Sequence, residues 1–254
     1  MSPHIQFTRE AGVATIRLNR PQKRNAIDVA MYAALADALS ECDRDPDVRA
    51  ILLCGAGQNF TAGNDLADFA KRPETPGEAP SFRFLRGLAQ ANKPLVAAVD
   101  GYAVGIGVTM LLHCDLVFVS DRAKLRMPFV DLGLVPEAAS TLLLPRQIGQ
   151  LRAAELFLVS EMLSGPRAEQ LGLANAVLPA AELEAHALEV CRRIAQKAPA
   201  AVRHTKALLR DRSGVMERIA QEGEIFTAQL RSPEAREAIS AFFEKRAPDF
   251  SKLK

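Results

Sequence analysis

Residues 93–107 read KPLVAAVDGYAVGIG, and the fold turns on this stretch. Its first half, PLVAAVDG, is a short unbroken apolar run, the pattern of a strand buried on both faces. Its second half places Gly101, Gly105 and Gly107 in the spacing GxxxGxG. A dinucleotide-binding turn needs GxGxxG, so a Rossmann reading is rejected. The glycines stand where the chain leaves a strand and begins a helix. Backbone N–H groups at such a point lack a helical partner and face outward, where they suit a negatively charged oxygen. The same glycines also fit a plainer role in tight turns and close packing.

Upstream, FTAGNDL (60–66) follows the buried strand RAILLCG (49–55) and repeats that logic. Two such turns converging would form an oxyanion hole. Before them the pattern predicts a hairpin, HIQFTRE and VATIRLN joined at Gly12, and a helix, VAMYAALADALSECDRD, with Asp28 as its N-cap. A loop rich in Pro and Gly (72–80) and a helix over about 81–92 precede the central strand. Downstream, DLVFVS (115–120) and AKLRMP (123–128) read as short strands. Strands alternate with helices up to NAVLP (175–179), which argues for an α/β architecture. From Ala180 the pattern is helical, with breaks near Pro199, Ser213 and Ser232. The expected organisation is a core over 1–195 and a C-terminal helical region over 196–254.

The whole chain bounds the function. Its 254 residues suffice for one large domain, or one domain with an appendage. Lys plus Arg number 32 against 30 Asp plus Glu, a balance that gives no broad electrostatic reason to bind nucleic acid or an anionic membrane. Cys42, Cys54, Cys114 and Cys191 are scattered without metal-ligand spacing, so free, mostly buried thiols are expected. MSPHIQFTRE lacks the basic and apolar regions of a signal peptide. No apolar run approaches the roughly 20 residues of a membrane span. The expectation is a soluble cytoplasmic protein.

Residues 131–149, DLGLVPEAASTLLLPRQIG, carry a lone acid, Glu137, in a segment otherwise fit for burial. In one reading Pro136 opens a helix and Glu137 sits in its first turn, where its charge suits the dipole. In the other the acid is buried and kept for chemistry.

Taken together, VATIRLNRPQKRNAID, FTAGNDL, KPLVAAVDGYAVGIG, CDLVFVSDRAKLRMPFVDLGLVPEAAS and AISAFFEKRAPDF resemble, in this order, the crotonase family, the enoyl-CoA hydratase/isomerase superfamily. The resemblance covers nearly the full chain. It implies a spiral of ββα units followed by a helical region used to form a trimer or a dimer of trimers. It also implies an acyl-CoA thioester substrate whose carbonyl oxygen is gripped by the N–H groups of Asn64 and Ile106, with Gly105 and Gly107 allowing close approach. Lys23, Arg24, Ala62, Asp65, Leu66, Phe242 and Lys245 match positions along the coenzyme A portion, the last two commonly from a neighbouring subunit. No cofactor beyond that portion of the substrate, and no metal, is expected.

The sequence departs from the hydratase pattern at both of its glutamates. Thr109 stands where the first belongs and Phe129 where the second belongs. Glu137, just after Pro136, coincides with the catalytic glutamate of the enoyl-CoA isomerase branch. One base suffices to move a double bond, taking a proton from C2 and returning it at C4. Phe129 would keep the pocket dry, and burial would raise the pKa of Glu137 toward that task. Asp65 reads as a structural hydrogen-bonding group, Asp131 as a solvated or capping acid, and His113 as a satisfied core histidine. Segment 70–88 is expected to shape the acyl pocket, with Phe82 and Phe84 lining it or packing behind it. An isomerase is the favoured function. A hydratase using Glu137 or another acid, and a non-catalytic acyl-CoA-binding protein, are the alternatives.

Overall fold

A computed structural model describes residues 2–69 and 79–253. β1 (Ile5–Glu10) and β2 (Val13–Leu18) form the antiparallel hairpin, which turns through Gly12 at φ +80°. Asp28 caps α1 (Val29–Arg44) by accepting from the Met31 N–H at 2.8 Å. β3 (Ala50–Gly55), a one-turn α2 (Leu66–Phe69), α3 (Pro80–Gln90) and β4 (Leu95–Val99) follow. β5 (Tyr102–Val104) leads into α4 (Ile106–Thr109), which tightens to a 3-10 turn at Met110–His113. Then come β6 (Leu116–Ser120), β7 (Lys124–Arg126), α5 (Ser140–Ile148) and α6 (Gln150–Leu158). β8 (Leu163–Ser164), α7 (Gly165–Gln170) and β9 (Ala176–Leu178) complete the α/β part.

Strands are shared between two sheets, β1-β2-β3-β4-β6-β9 and β5-β7-β8. Beyond the hairpin, every pairing in the larger sheet is parallel. β4 and β5, then β6 and β7, each place one strand in either sheet before the chain enters helices. This recurrence of two strands and a helical stretch is the ββα spiral that the sequence suggested. The α/β architecture with C-terminal helices is therefore observed.

Alternation along the central strands explains their unbroken apolar runs. Ile51, Leu53, Leu95, Ala97 and Val99 face the main core with α1 and α3. Ala50, Leu52, Cys54, Val96 and Ala98 face a second core closed by Leu183, Ala187 and Cys191. Those three residues lie on α8 (Ala180–Ala195), which covers the far side of the sheet. All four cysteines are free, and burial pushes each thiol up to about 12.

The last helices are α9 (Pro199–Leu208), α10 (Arg212–Gln229) and α11 (Pro233–Glu244). Breaks at Pro199 and Ser232 match the sequence reading. The break expected near Ser213 falls at 209–211, just before α10. Asp211 is the cap there, accepting from the Gly214 N–H at 3.1 Å. α9 is tied to the core by Lys206, whose buried ammonium donates to the Lys93 carbonyl (2.6 Å) and to Asp115 (2.8 Å). α10 packs on α3 and α5, and α11 on the turn at Val130–Leu132.

Candidate active site

The site is assembled from turns held by short polar staples. Arg24 and Asn25 both adopt positive φ, +49° and +57°. Asn25 holds this bend by donating to the Ala56 and Asn59 carbonyls (2.8 and 2.7 Å) while its Oδ1 accepts from the Arg20 N–H (2.8 Å). The guanidinium of Arg24 then lies over the Tyr102 ring, 5.2 Å from its centroid.

The two glycine turns lie side by side. Ile27 N–H donates to the Gly63 carbonyl and Asp65 N–H to the Ile27 carbonyl, at 2.8 and 3.0 Å. This alternation turns the Asn64 peptide N–H away from Ile27. Thr61 is bracketed in the same way by Tyr102 and Val104. Close approach requires glycine here: a Cβ on Gly63 would fall 2.7 Å from the Val104 oxygen, and one on Gly107 2.6 Å from Thr61 Cγ2. Gly105, at φ +56°, aims the chain into α4, so the Ile106 N–H opens a helix and has no acceptor within it. Asn64 is fixed further by Tyr32, whose hydroxyl donates to its Oδ1 at 2.7 Å.

A cleft of about 880 Å³ runs past both turns. Lys23, Arg24, Ala62, Asn64, Asp65 and Leu66 line it from one side, Gly105 and Phe129 from another. Phe242, Phe243 and Arg246 close it from the end of α11. Lys245 is absent from this lining, because it caps α11 in the left-handed region (φ +56°). Ile106, Thr109 and Pro136 are buried and do not line the cleft either. Among the described residues the Thr109 hydroxyl has no hydrogen-bond partner.

Glu137 lies deeper, only 7% exposed, in a small cavity walled by Phe82, Leu85, Ile219 and Phe226. Phe226 lines cleft and cavity alike and so forms the partition between them. Pro136 does not open a helix. Ala138 and Ala139 both take left-handed conformations (φ +65° and +55°), and α5 starts only at Ser140. The first-turn reading of Glu137 is thereby corrected. A left-handed residue other than glycine costs about 1–2 kcal/mol, so two in succession need outside support.

That support comes from two directions. His113 is buried and donates its Nε2–H to the Ala138 carbonyl at 2.7 Å. Burial lowers its pKa to about 4, so the ring is neutral, and the carbonyl fixes the tautomer. From α10, Glu222 accepts from the Ala139 N–H (2.6 Å), the Thr141 N–H (3.0 Å) and the Thr141 hydroxyl (2.6 Å). Burial pushes the Glu222 carboxyl above the usual range, and those bonds and Arg218 act against the rise.

The remaining acids have ordinary partners. Burial works against the charge of Asp65, yet hydrogen bonds from Arg20 (2.7 Å) and the Ala67 N–H keep its pKa below the usual range. Asp131 lines the cleft and pairs with Arg126 at 3.0 Å. Phe84 is core, its ring 5.8 Å from that of Tyr32. Residues 70–78 of the expected acyl-pocket segment lie outside the described residues.

A sequence profile described as enoyl-CoA hydratase/isomerase matches residues 8–253. The chain belongs to the enoyl-CoA hydratase/isomerase family. Members act on acyl-CoA thioesters. Curated relatives include a 1,2-epoxyphenylacetyl-CoA isomerase of Escherichia coli, 35% identical over 95% of this chain and 96% of its own. A 2,3-dehydroadipyl-CoA hydratase of the same organism is 33% identical over 96% of each. A crystal structure of an enoyl-CoA hydratase/isomerase from Pseudoalteromonas atlantica superimposes with a TM-score of 0.93 at 42% identity, covering 97% of this chain and 99% of that one.

Several contributors to this site escaped sequence reasoning, among them Phe243, Arg246, Phe226 and Glu222. Arg246 stands beside Lys245 and differs only in where the cap of α11 directs it. Phe226 and Glu222 share one face of α10, four residues apart, and that spacing was their only signal.

Proposed function

We propose that the protein moves a double bond from C3 to C2 of an enoyl-CoA, with Glu137 as the single base. The observation that carries this reading is the setting of Glu137. It is a buried acid in a small cavity walled largely by Phe82, Leu85, Ile219 and Phe226, with Phe226 shared with the cleft that passes both glycine turns, while Thr109 and Phe129 occupy the two positions of the hydratase glutamates. In this reading the N–H groups of Asn64 and Ile106 hold the thioester oxygen as negative charge grows on it. Glu137 removes a proton from C2, the electron pair delocalises into a dienolate, and the same proton returns at C4. The Phe226 ring turns aside to admit the acyl chain, and Phe82 and Leu85 exclude water behind it. Lys23, Arg24 and Phe242 follow the nucleotide end, as do Ala62, Asp65 and Leu66. Lys245 reaches the coenzyme A portion held by a neighbouring subunit, and residues 196–254 form the oligomer, a trimer or a dimer of trimers.

The test is to incubate the protein separately with a 3-enoyl-CoA and a 2-enoyl-CoA and follow conjugated-thioester absorbance. Growth with the first supports the isomerase. Loss with the second and none with the first assigns hydration instead. No change in either, with tight acyl-CoA binding, assigns a binding protein.

A further inference from the structure

The acid assigned as base is followed by a strained turn, and a second buried acid holds that turn. We infer that Glu222 is a positioning residue for Glu137. This rests on Glu137 being the base. Glu222 is 5% exposed and faces the same small cavity as Glu137. Its two oxygens take three donors, all from residues 139–141: the Ala139 N–H, the Thr141 N–H and the Thr141 hydroxyl. Thr141 Oγ1 in turn accepts from Arg218 at 2.9 Å, so the clamp is backed by a cation on the same helix.

The turn needs such a clamp. Ala139 stands at the N-cap of α5 with no side chain able to cap, so the first N–H groups of that helix depend on another element. A carboxylate suits them through its charge as well as its lone pairs. Ala138 and Ala139 are not glycines, and their left-handed backbone persists only where surrounding bonds over-determine it. Were either to relax to the right-handed region, the chain direction would change one or two residues after Glu137. The carboxyl would then leave the chamber behind Phe226. Nothing else in this arrangement requires Glu222 to touch the substrate.

The test is a double-mutant cycle in the full-length protein, with 3-enoyl-CoA turnover and calorimetric acyl-CoA binding as readouts. Glu222→Gln keeps the shape but turns one acceptor into a donor facing an N–H. It should lower kcat at least about tenfold and leave acyl-CoA Kd within about twofold. Glu137→Gln with Glu222→Gln should be no slower than Glu137→Gln alone, since residues acting as one unit are not additive. Ala139→Gly should restore part of the kcat lost in Glu222→Gln, because glycine holds this backbone unaided. Full kcat in Glu222→Gln, or a double variant showing the product of both losses, overturns the inference. If Glu222→Gln does not fold, Thr141→Val takes its place, removing one of the three bonds. It should give a smaller kcat loss with the same non-additivity, and unchanged kcat overturns the inference. An active Glu137→Gln single variant sinks the base assignment itself, whatever position 222 does.

Discussion

At the scale of single residues, Glu137 and His113 carry separable tests. Glu137→Gln keeps size and most hydrogen bonding but removes the proton acceptor. Turnover of a 3-enoyl-CoA should fall ~10²–10⁴-fold with acyl-CoA affinity little changed. Thr109→Ala should be mild, since that hydroxyl is buried, has no hydrogen-bond partner among the described residues and does not line the cleft. Steady-state kinetics of the two variants checks the ranking, and the reverse order removes the isomerase reading. His113 predicts a pH effect. Folded, it titrates near about 4 against 6.5 when unfolded, because burial disfavours its charge. Between those values the unfolded chain binds a proton that the folded chain does not. Stability is therefore whole above pH 6.5 and is lost as pH falls toward 4, by up to about 3 kcal/mol. Urea titrations at neutral pH and at pH 5 measure that loss. His113→Gln keeps a donor for the Ala138 carbonyl without the titration and should flatten it. Glu137 itself stood out in the sequence as a lone acid among apolar neighbours. Its setting did not, because alanine gives no signal for a left-handed backbone.

Among elements, the strands were the most legible, since two buried faces leave an apolar run that no loop imitates. The cap at Asp28 was legible from its residue type, while Ser232 was legible only as a break, where its hydroxyl caps α11 by accepting from the Ala235 N–H at 3.0 Å. Contacts between elements were not. α11 docks on the turn ending at Gly133, where a Cβ would meet the Ala235 nitrogen at 2.7 Å and the Glu234 carbonyl carbon at 2.8 Å. Gly133 also has φ +66°. Gly133→Ala should therefore lever α11, and with it Phe242, Phe243 and Arg246, away from the cleft. A fall in Tm of several degrees, with acyl-CoA affinity weakened at least about fivefold, is the expected outcome of scanning calorimetry and binding titration. Unchanged affinity would mean that α11 contributes nothing to the cleft. Glu222 and Phe226 were hidden because their partners come from other elements, and helical spacing alone cannot name a partner.

At the scale of the molecule, apolar side chains remain on the outside of the C-terminal region and of α6. Leu208 and Leu209 are 88% and 80% exposed, and Leu151 is 86% exposed. Phe242 and Phe243 are also more than half exposed. Surfaces of this kind favour association. Sedimentation at working concentration should find a trimer or hexamer, and a stable monomer would remove the role given to Lys245. The composition could announce a near balance of charge, but an oligomer interface depends on which apolar residues the fold leaves outside. Lys23 and Arg24, both exposed at the cleft mouth, should make acyl-CoA binding weaken as salt rises. Titrations at low and high ionic strength check this, and salt-independent affinity would move the nucleotide elsewhere.

Phe226 divides the cleft from the chamber of Glu137, and that division has an isotopic consequence. Glu137, only 7% exposed, is screened by that ring at rest and by the acyl chain once the ring has turned aside, so its carboxyl is expected to exchange with bulk water more slowly than it returns the proton. The hydrogen lifted from C2 should then be the one delivered to C4, on the same face of the substrate. In heavy water the product should retain mostly protium at C4, as read by mass spectrometry. Phe226→Ala, by opening the partition, should admit deuterium there.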